Sequence, residues 1–300
     1  MAKWQEAAQE FESLVKKYEA GEIQANAIEK FVLDCEMTDN YYWRTFKQQL
    51  MEIAGGIISD PLCLENISQA LERGLQREYS RLHFRSEDEM LDSLEEMLQI
   101  ARLKEIEYSS ICNQIAICFF ALAWNGFDEA EMRELKKTEL VPERNVITFG
   151  GHEIEVSQRV MDILYSYAKA DGSFRFSNSP RPHFYKYKES EYLFRSHRAD
   201  KLGYSALRSM RFQINGLCEA LDYHHRFFYT HIATNGVMKI VYDWEKKTEI
   251  MVTARSVIKN NLAQDILGVK RHFYGDLYTI VAKHYEIFRY WMDTDKVKIE

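Results

Sequence analysis

Proline is scarce in this 300-residue chain, at four residues, and glycine numbers only 13. These two are the main interrupters of helical pattern, so long helices are expected and collagen-like or low-complexity structure is excluded. Cysteine is scarce and has no pairing pattern. The five, Cys35, Cys63, Cys112, Cys118 and Cys218, are odd in number and contain no CxxC spacing. That argues against a disulfide framework or a zinc site. It points to reduced thiols in a cytoplasmic protein, acting as small buried apolar residues. No apolar run reaches the roughly 20 residues that span a bilayer. The longest, Ile111 to Trp124, is broken by Asn113 and Gln114 and reads as a buried core helix. The polar, acidic opening from Met1 to Glu12 has no signal-peptide character. No membrane, metal or cofactor is expected. Net positive charge is missing as well. The 39 Lys+Arg against 46 Asp+Glu leave −7, which excludes a generic cationic nucleic-acid coat.

What is present is a core-forming composition: 46% hydrophobic residues, with 18 Tyr, 17 Phe and 5 Trp. Roughly 100–200 residues per domain gives two domains. Residues 3–20, 23–35, 39–54 and 63–82 read as four helices, the third ended by Gly55-Gly56. They form a small all-α domain, 1–83. A second domain, 84–300, opens with Ser86 and Glu89 at capping-box spacing. The core helix then ends at Asn125-Gly126, and Asp128 and Glu131 have N-cap and N3 spacing for the next helix. Val146–Phe149 and Glu153–Val156 flank Gly150-Gly151-His152, a hairpin signal. Helices are expected at 157–169, 204–221, 230–247, 252–266 and 276–292. The fold class is therefore mainly α with a small antiparallel β-sheet.

The charge is segregated along the chain. From Ser173 to Arg211 nine bases stand against Glu189, Glu191 and Asp200, a local +6, so the remainder sums to −13. The bases are Arg175, Arg181, Lys186, Lys188, Arg195, Arg198, Lys201, Arg208 and Arg211, interleaved with Phe174, Phe176, Phe184, Tyr185, Tyr187, Tyr192 and Phe194. Such a stretch is either a nucleic-acid-binding lining or a salt-bridged surface. From Glu87 to Glu107 eight carboxylates meet two bases, as expected of a solvated face turned away from nucleic acid.

Several motifs resemble those of the tyrosine recombinase (phage integrase) superfamily. Ile266-Leu267-Gly268-Val269, with Tyr278 nine residues after Val269, is similar to the family's Leu-Gly-His box and its nucleophilic tyrosine, with Val269 in the His place. Asn125-Gly126-Phe127-Asp128-Glu129-Ala130-Glu131 resembles the Thr-Gly-Leu-Arg-x-x-Glu stretch, with Asp128 where the phosphate-gripping Arg belongs. The hairpin turn has His152 but no lysine. The His-x-x-Arg box has two placements, Tyr223-His224-His225-Arg226 with Asn235-Gly236 ending the match, or Ser205-Ala206-Leu207-Arg208. Neither keeps the His.

The resemblance implies a core-binding-like helical domain and an integrase-like domain that clamp duplex DNA. It also implies that Asp128, Tyr223, Arg226, Val269 and Tyr278 are vestigial positions that no longer catalyse. Cleavage needs a phenolic nucleophile, two guanidinium groups and acid–base help, and most of these are substituted. The expected function is a sequence-specific DNA-binding repressor that maintains phage lysogeny. Its expected DNA contacts are the nine bases above with Arg226, Lys270 and Arg271. The alternatives are an active recombinase using Tyr278 and a protein-binding scaffold. The apolar C-terminal helix either packs on its own domain or supports self-association.

Overall fold

A computed structural model describes residues 2–35, 40–104, 106, 113–175, 183–259, 262–268 and 274–294. It is mainly helical, with one three-stranded and one two-stranded antiparallel sheet. The chain divides into two compact units, Met1–Arg81 with Ile280–Glu300, and Leu82–Thr279. The expected boundary lay at 83/84, with the whole C-terminus in the second domain. Here the last segment belongs to the first unit.

In that first unit, α1 (Ala2–Glu19), α2 (Asn26–Asp34), α3 (Asn40–Ile57) and α4 (Pro61–Leu82) bury Phe11, Phe31, Phe46, Leu50, Leu71 and Leu75. Gly74 lets α4 lie against α2, since a Cβ there would sit 2.9 Å from Val32 Cβ and 3.0 Å from Glu29 O. The expected stop at Gly55-Gly56 is overturned, because α3 runs on to Ile57. Two glycines cost a helix about 1 kcal/mol each without forbidding it. Asp60 then opens α4, its carboxylate accepting from the backbone N–H of Leu62 and Cys63 at 3.3 and 3.2 Å. The C-terminal helix winds from α13 (Tyr274–Ile280) through a π turn (Val281–Tyr285) into α14 (Glu286–Asp293). Within the first unit α14 buries Phe288 and Trp291, with Trp291 edge-on to Tyr79 at 5.5 Å.

The second unit is assembled around α6 (Asn113–Trp124), whose residues from Ile115 to Trp124 are buried except for Ile117. This is the core helix expected from the apolar run. Packed on it are α5 (Glu87–Leu103), α8 (Gln158–Lys169), α9 (Tyr204–Ala220) and α10 (Tyr229–Thr248). Gly236 brings α10 onto the end of α6, where a Cβ would lie 2.0 Å from Trp124 O. The neighbouring Asn235, fully buried, clamps the segment that leads into α5. Its Oδ1 accepts from Phe84 N at 2.7 Å and its Nδ2 donates to Phe84 O at 2.9 Å.

The hairpin pairs β1 (Leu140–Val141), β2 (Val146–Phe149) and β3 (His152–Glu155) in order. Its turn is Gly150-Gly151 alone, both at positive φ, the backbone that two-residue hairpin turns need. His152 opens β3 opposite Phe149 rather than sitting in the turn. A second hairpin, β4 (Gly172–Arg175) with β5 (His183–Lys186), was not expected. The run 252–266, read as one helix, contains two, α11 (Ala254–Lys259) and α12 (Ala263–Leu267). Of the cysteines, Cys118 and Cys218 are buried as expected, Cys35 and Cys63 only half-buried, and none of the four forms a disulfide among the described residues. Cys112 lies outside the described residues.

Candidate nucleic-acid interface

The basic segment begins on the β4–β5 hairpin and continues as an irregular ribbon. Tyr187 N donates to Asp171 O at 2.8 Å, Lys188 N to Ser196 O at 3.0 Å, and Leu202 N to Phe194 O at 2.9 Å. Along Phe184–Lys188 the side chains alternate, with Tyr187 turned into the core and Lys186 and Lys188 exposed. Arg198 is exposed nearby, its Nε 3.1 Å from His197 Nε2, and His197 rests on the Tyr185 ring at 4.8 Å. Phe184 is 50% exposed beside them. Lys186, Lys188 and Arg198 meet no carboxylate among the described residues.

Arg195 is corrected from interface to core. It is 3% exposed and serves as the cap of α8. Its guanidinium donates to Ala170 O at 2.7 Å, Ala168 O at 3.0 Å, Leu193 O at 3.3 Å and Tyr167 O at 3.5 Å. The rings of Tyr187 and Tyr167 lie 5.2 and 5.5 Å from it. A cation at a helix C-terminus meets unsatisfied carbonyls and the negative end of the dipole, and here the buried guanidinium spends both terminal nitrogens on them. The same charge, after burial, helps hold Lys137 below its ordinary pKa.

The ribbon leads into α9. Gly203 stands at its N-cap, and Ser205, Arg208, Ser209, Phe212 and Gly216 form an exposed face at helical spacing. No carboxylate occurs from Gly203 to Cys218. Arg208 stacks over Phe212 at 5.6 Å, and Phe212 is 66% exposed. The adjoining flank of α9 meets α7 (Glu129–Glu134). There Arg211 Nη1 lies 2.8 Å from Glu129 Oε1, with Tyr229 at 5.7 Å. On the ribbon, Lys201 Nζ lies 2.6 Å from Glu134 and 4.5 Å from the Tyr192 ring centroid.

The positions singled out by the motifs have other employment. Asp128 caps α7 in a reciprocal box, accepting from Glu131 N at 2.7 Å while Glu131 accepts from Asp128 N at 2.8 Å. Tyr223 holds α5, its hydroxyl proton shared between Ser93 O at 2.9 Å and Glu96 Oε2 at 2.7 Å. Burial, then Glu96, pushes that phenol well above its usual pKa. Arg226 turns inward, donating to the carbonyls of Tyr223, His225 and Cys218. Through Nη1 it closes the C-terminus of α9, so that nitrogen is committed to backbone. Tyr278 on α13 is 44% exposed and makes no hydrogen bond, ion pair or ring contact among the described residues. Val269, Arg181, Lys270 and Arg271 lie outside the described residues. Arg175 is described only as backbone, paired with His183.

No family model and no curated protein matches the chain.

Sequence reasoning missed the second hairpin, although Tyr185-Lys186-Tyr187-Lys188 alternates as a strand does. It also missed the carboxylates of α7 that face the bases. The acidic face of α5 proves partly neutralised, since Arg159 of α8 reaches Asp92 at 2.7 Å and Asp88 and Glu95 at 3.2 Å.

Proposed function

We propose that this protein is a sequence-specific duplex-DNA-binding repressor on a scaffold similar to that of the tyrosine recombinases, no longer able to cleave, and that it maintains phage lysogeny. The observation that supports it most is the solvent face of α9, with an arginine, two serines and an aromatic ring exposed and no carboxylate among them. These are residue types that read base edges in a major groove: arginine to guanine O6 and N7, serine to several bases, an apolar ring to the thymine methyl. Lys186, Lys188 and Arg198 supply the phosphate contacts that hold register. The phage setting comes from the resemblance alone.

The capping roles of Asp128 and Arg226 support the absence of cleavage. Each guanidinium missing from a phosphoryl-transfer site raises the barrier by about 3–4 kcal/mol. A covalent adduct on a nicked duplex, abolished by Tyr278→Phe, would instead establish an active recombinase.

Fluorescence anisotropy of labelled duplexes across a salt series tests the binding. Log affinity is expected to fall with log salt at a slope of about −0.9 per neutralised phosphate. Arg208→Ala should lower the preference for the operator by about 1–3 kcal/mol. Genome-wide occupancy would supply that operator. No duplex affinity at low salt overturns the reading, leaving a scaffold whose bases meet an acidic protein.

A further inference from the structure

Two cations beside the open face of α9 already have anions. Glu129 is half-buried, its side chain 12% exposed, against Arg211. Arg208 also acts on Glu129, and Asp128 repels it. The Glu129–Arg211 pair is poorly directed. At 2.8 Å it satisfies charge, yet Glu129 Oε1 and the buried Arg211 Nε have no hydrogen bond among the described residues. An arginine fork normally meets a carboxylate through two parallel bonds, and a buried donor left unmet is unusual enough to ask what else it serves. The second pair, Glu134 with Lys201, is exposed on its acidic side. Both carboxylates come from α7, and both cations flank the uncompensated face described above.

We infer that α7 is an internal competitor for the DNA backbone, with Glu129 on Arg211 and Glu134 on Lys201 holding the places that phosphate oxygens take when duplex binds. Binding at these two cations is then an exchange of carboxylate for phosphate, with no net charge gained at either. Non-specific affinity is held down, because a phosphate must displace an anion already seated. The open face of α9 is unaffected and keeps its discrimination. This inference rests on the DNA-binding reading and adds the element that limits it.

The experiment compares wild type with Glu129→Gln, Glu134→Gln and, as a control of equal charge change, Glu219→Gln at an exposed site on α9. Each is titrated with a random-sequence duplex across a salt series, with folding checked by circular dichroism. Glu129→Gln should steepen the salt slope by about 0.9 and tighten binding about eightfold at 0.1 M salt, the effect of one added phosphate contact. The gain should vanish in Glu129→Gln/Arg211→Gln. Glu134→Gln, altering an exposed side chain, tests the same exchange without disturbing the core. If wild type binds duplex and both α7 variants match wild type or Glu219→Gln in slope, the inference is overturned while the DNA reading stands. If wild type binds no duplex at low salt, the DNA reading itself fails and takes this one with it.

Discussion

Replacing Arg195 by methionine separates a structural arginine from a DNA contact. The guanidinium reaches Ala170 O and Ala168 O at 2.7 and 3.0 Å, and two further carbonyls at longer range. Methionine fills much of the stem volume and donates nothing. At least two buried carbonyls then lose a donor, at about 1–3 kcal/mol each, and two tyrosine rings lose a cation worth up to about 2 kcal/mol. Against this, the guanidinium's own desolvation penalty is relieved. The expected net loss is about 3 kcal/mol. For a unit of this size that lowers the melting temperature by about 10 °C. Urea melts and anisotropy on one preparation read both effects. Stability should fall while the salt slope of DNA binding stays at the wild-type value, measured where the variant is still folded. A variant that melts like wild type but loses about 0.9 from the slope would show that Arg195 lies on the DNA, and the capping argument would be refuted.

Gly236→Ala should destabilise the second unit by about 3 kcal/mol or more, since its Cβ would overlap Trp124 O at 2.0 Å and backbone cannot step aside as a side chain does; urea melts check it. Asp128→Ala removes half of a reciprocal cap and should cost about 1 kcal/mol, with duplex affinity within twofold of wild type by anisotropy. The pH dependence has a definite sign. Burial, the largest influence, raises the pKa of Glu129 above its ordinary value, and Arg211 only partly opposes it. The folded state therefore binds this proton more tightly than the unfolded state. Stability relative to Glu129→Gln should rise as pH falls through the folded pKa toward the ordinary carboxylate value, then level off. Denaturant melts of the two proteins across mildly acidic pH would show it, and a difference that shrinks in acid would contradict the burial of Glu129.

Local rules written in neighbouring residues were legible. The Asp128–Glu131 box needs only spacing, and it is present in full. The core position of α6 needed only its apolar run. Ser86 caps α5 as its spacing suggests, accepting from Glu89 N at 3.1 Å, but Glu89 reaches back to Arg85 N rather than Ser86 N. That one-residue slip is decided by backbone geometry. Gly55-Gly56 misled because propensity is a weak term that packing overrides. The fate of the bases was the least legible. Arg195 and Arg198 are three residues apart in the same basic run, yet one caps a helix and the other faces solvent. The difference lies in the carbonyls at the end of α8, more than twenty residues away in sequence. Net charge per segment marks where to look and says nothing about which cations are already partnered.

The C-terminal winding has a consequence for how the chain is made. Phe288 and Trp291 are buried within a unit that otherwise consists of the first 81 residues. During synthesis those four helices are made well before α14 and lack this part of their core until it follows. At about 5–20 residues per second, the roughly 200 intervening residues take on the order of tens of seconds. Helices made before the second unit therefore belong to a unit completed after it, and a fragment cut short ahead of α14 would present Tyr79 without its covering tryptophan.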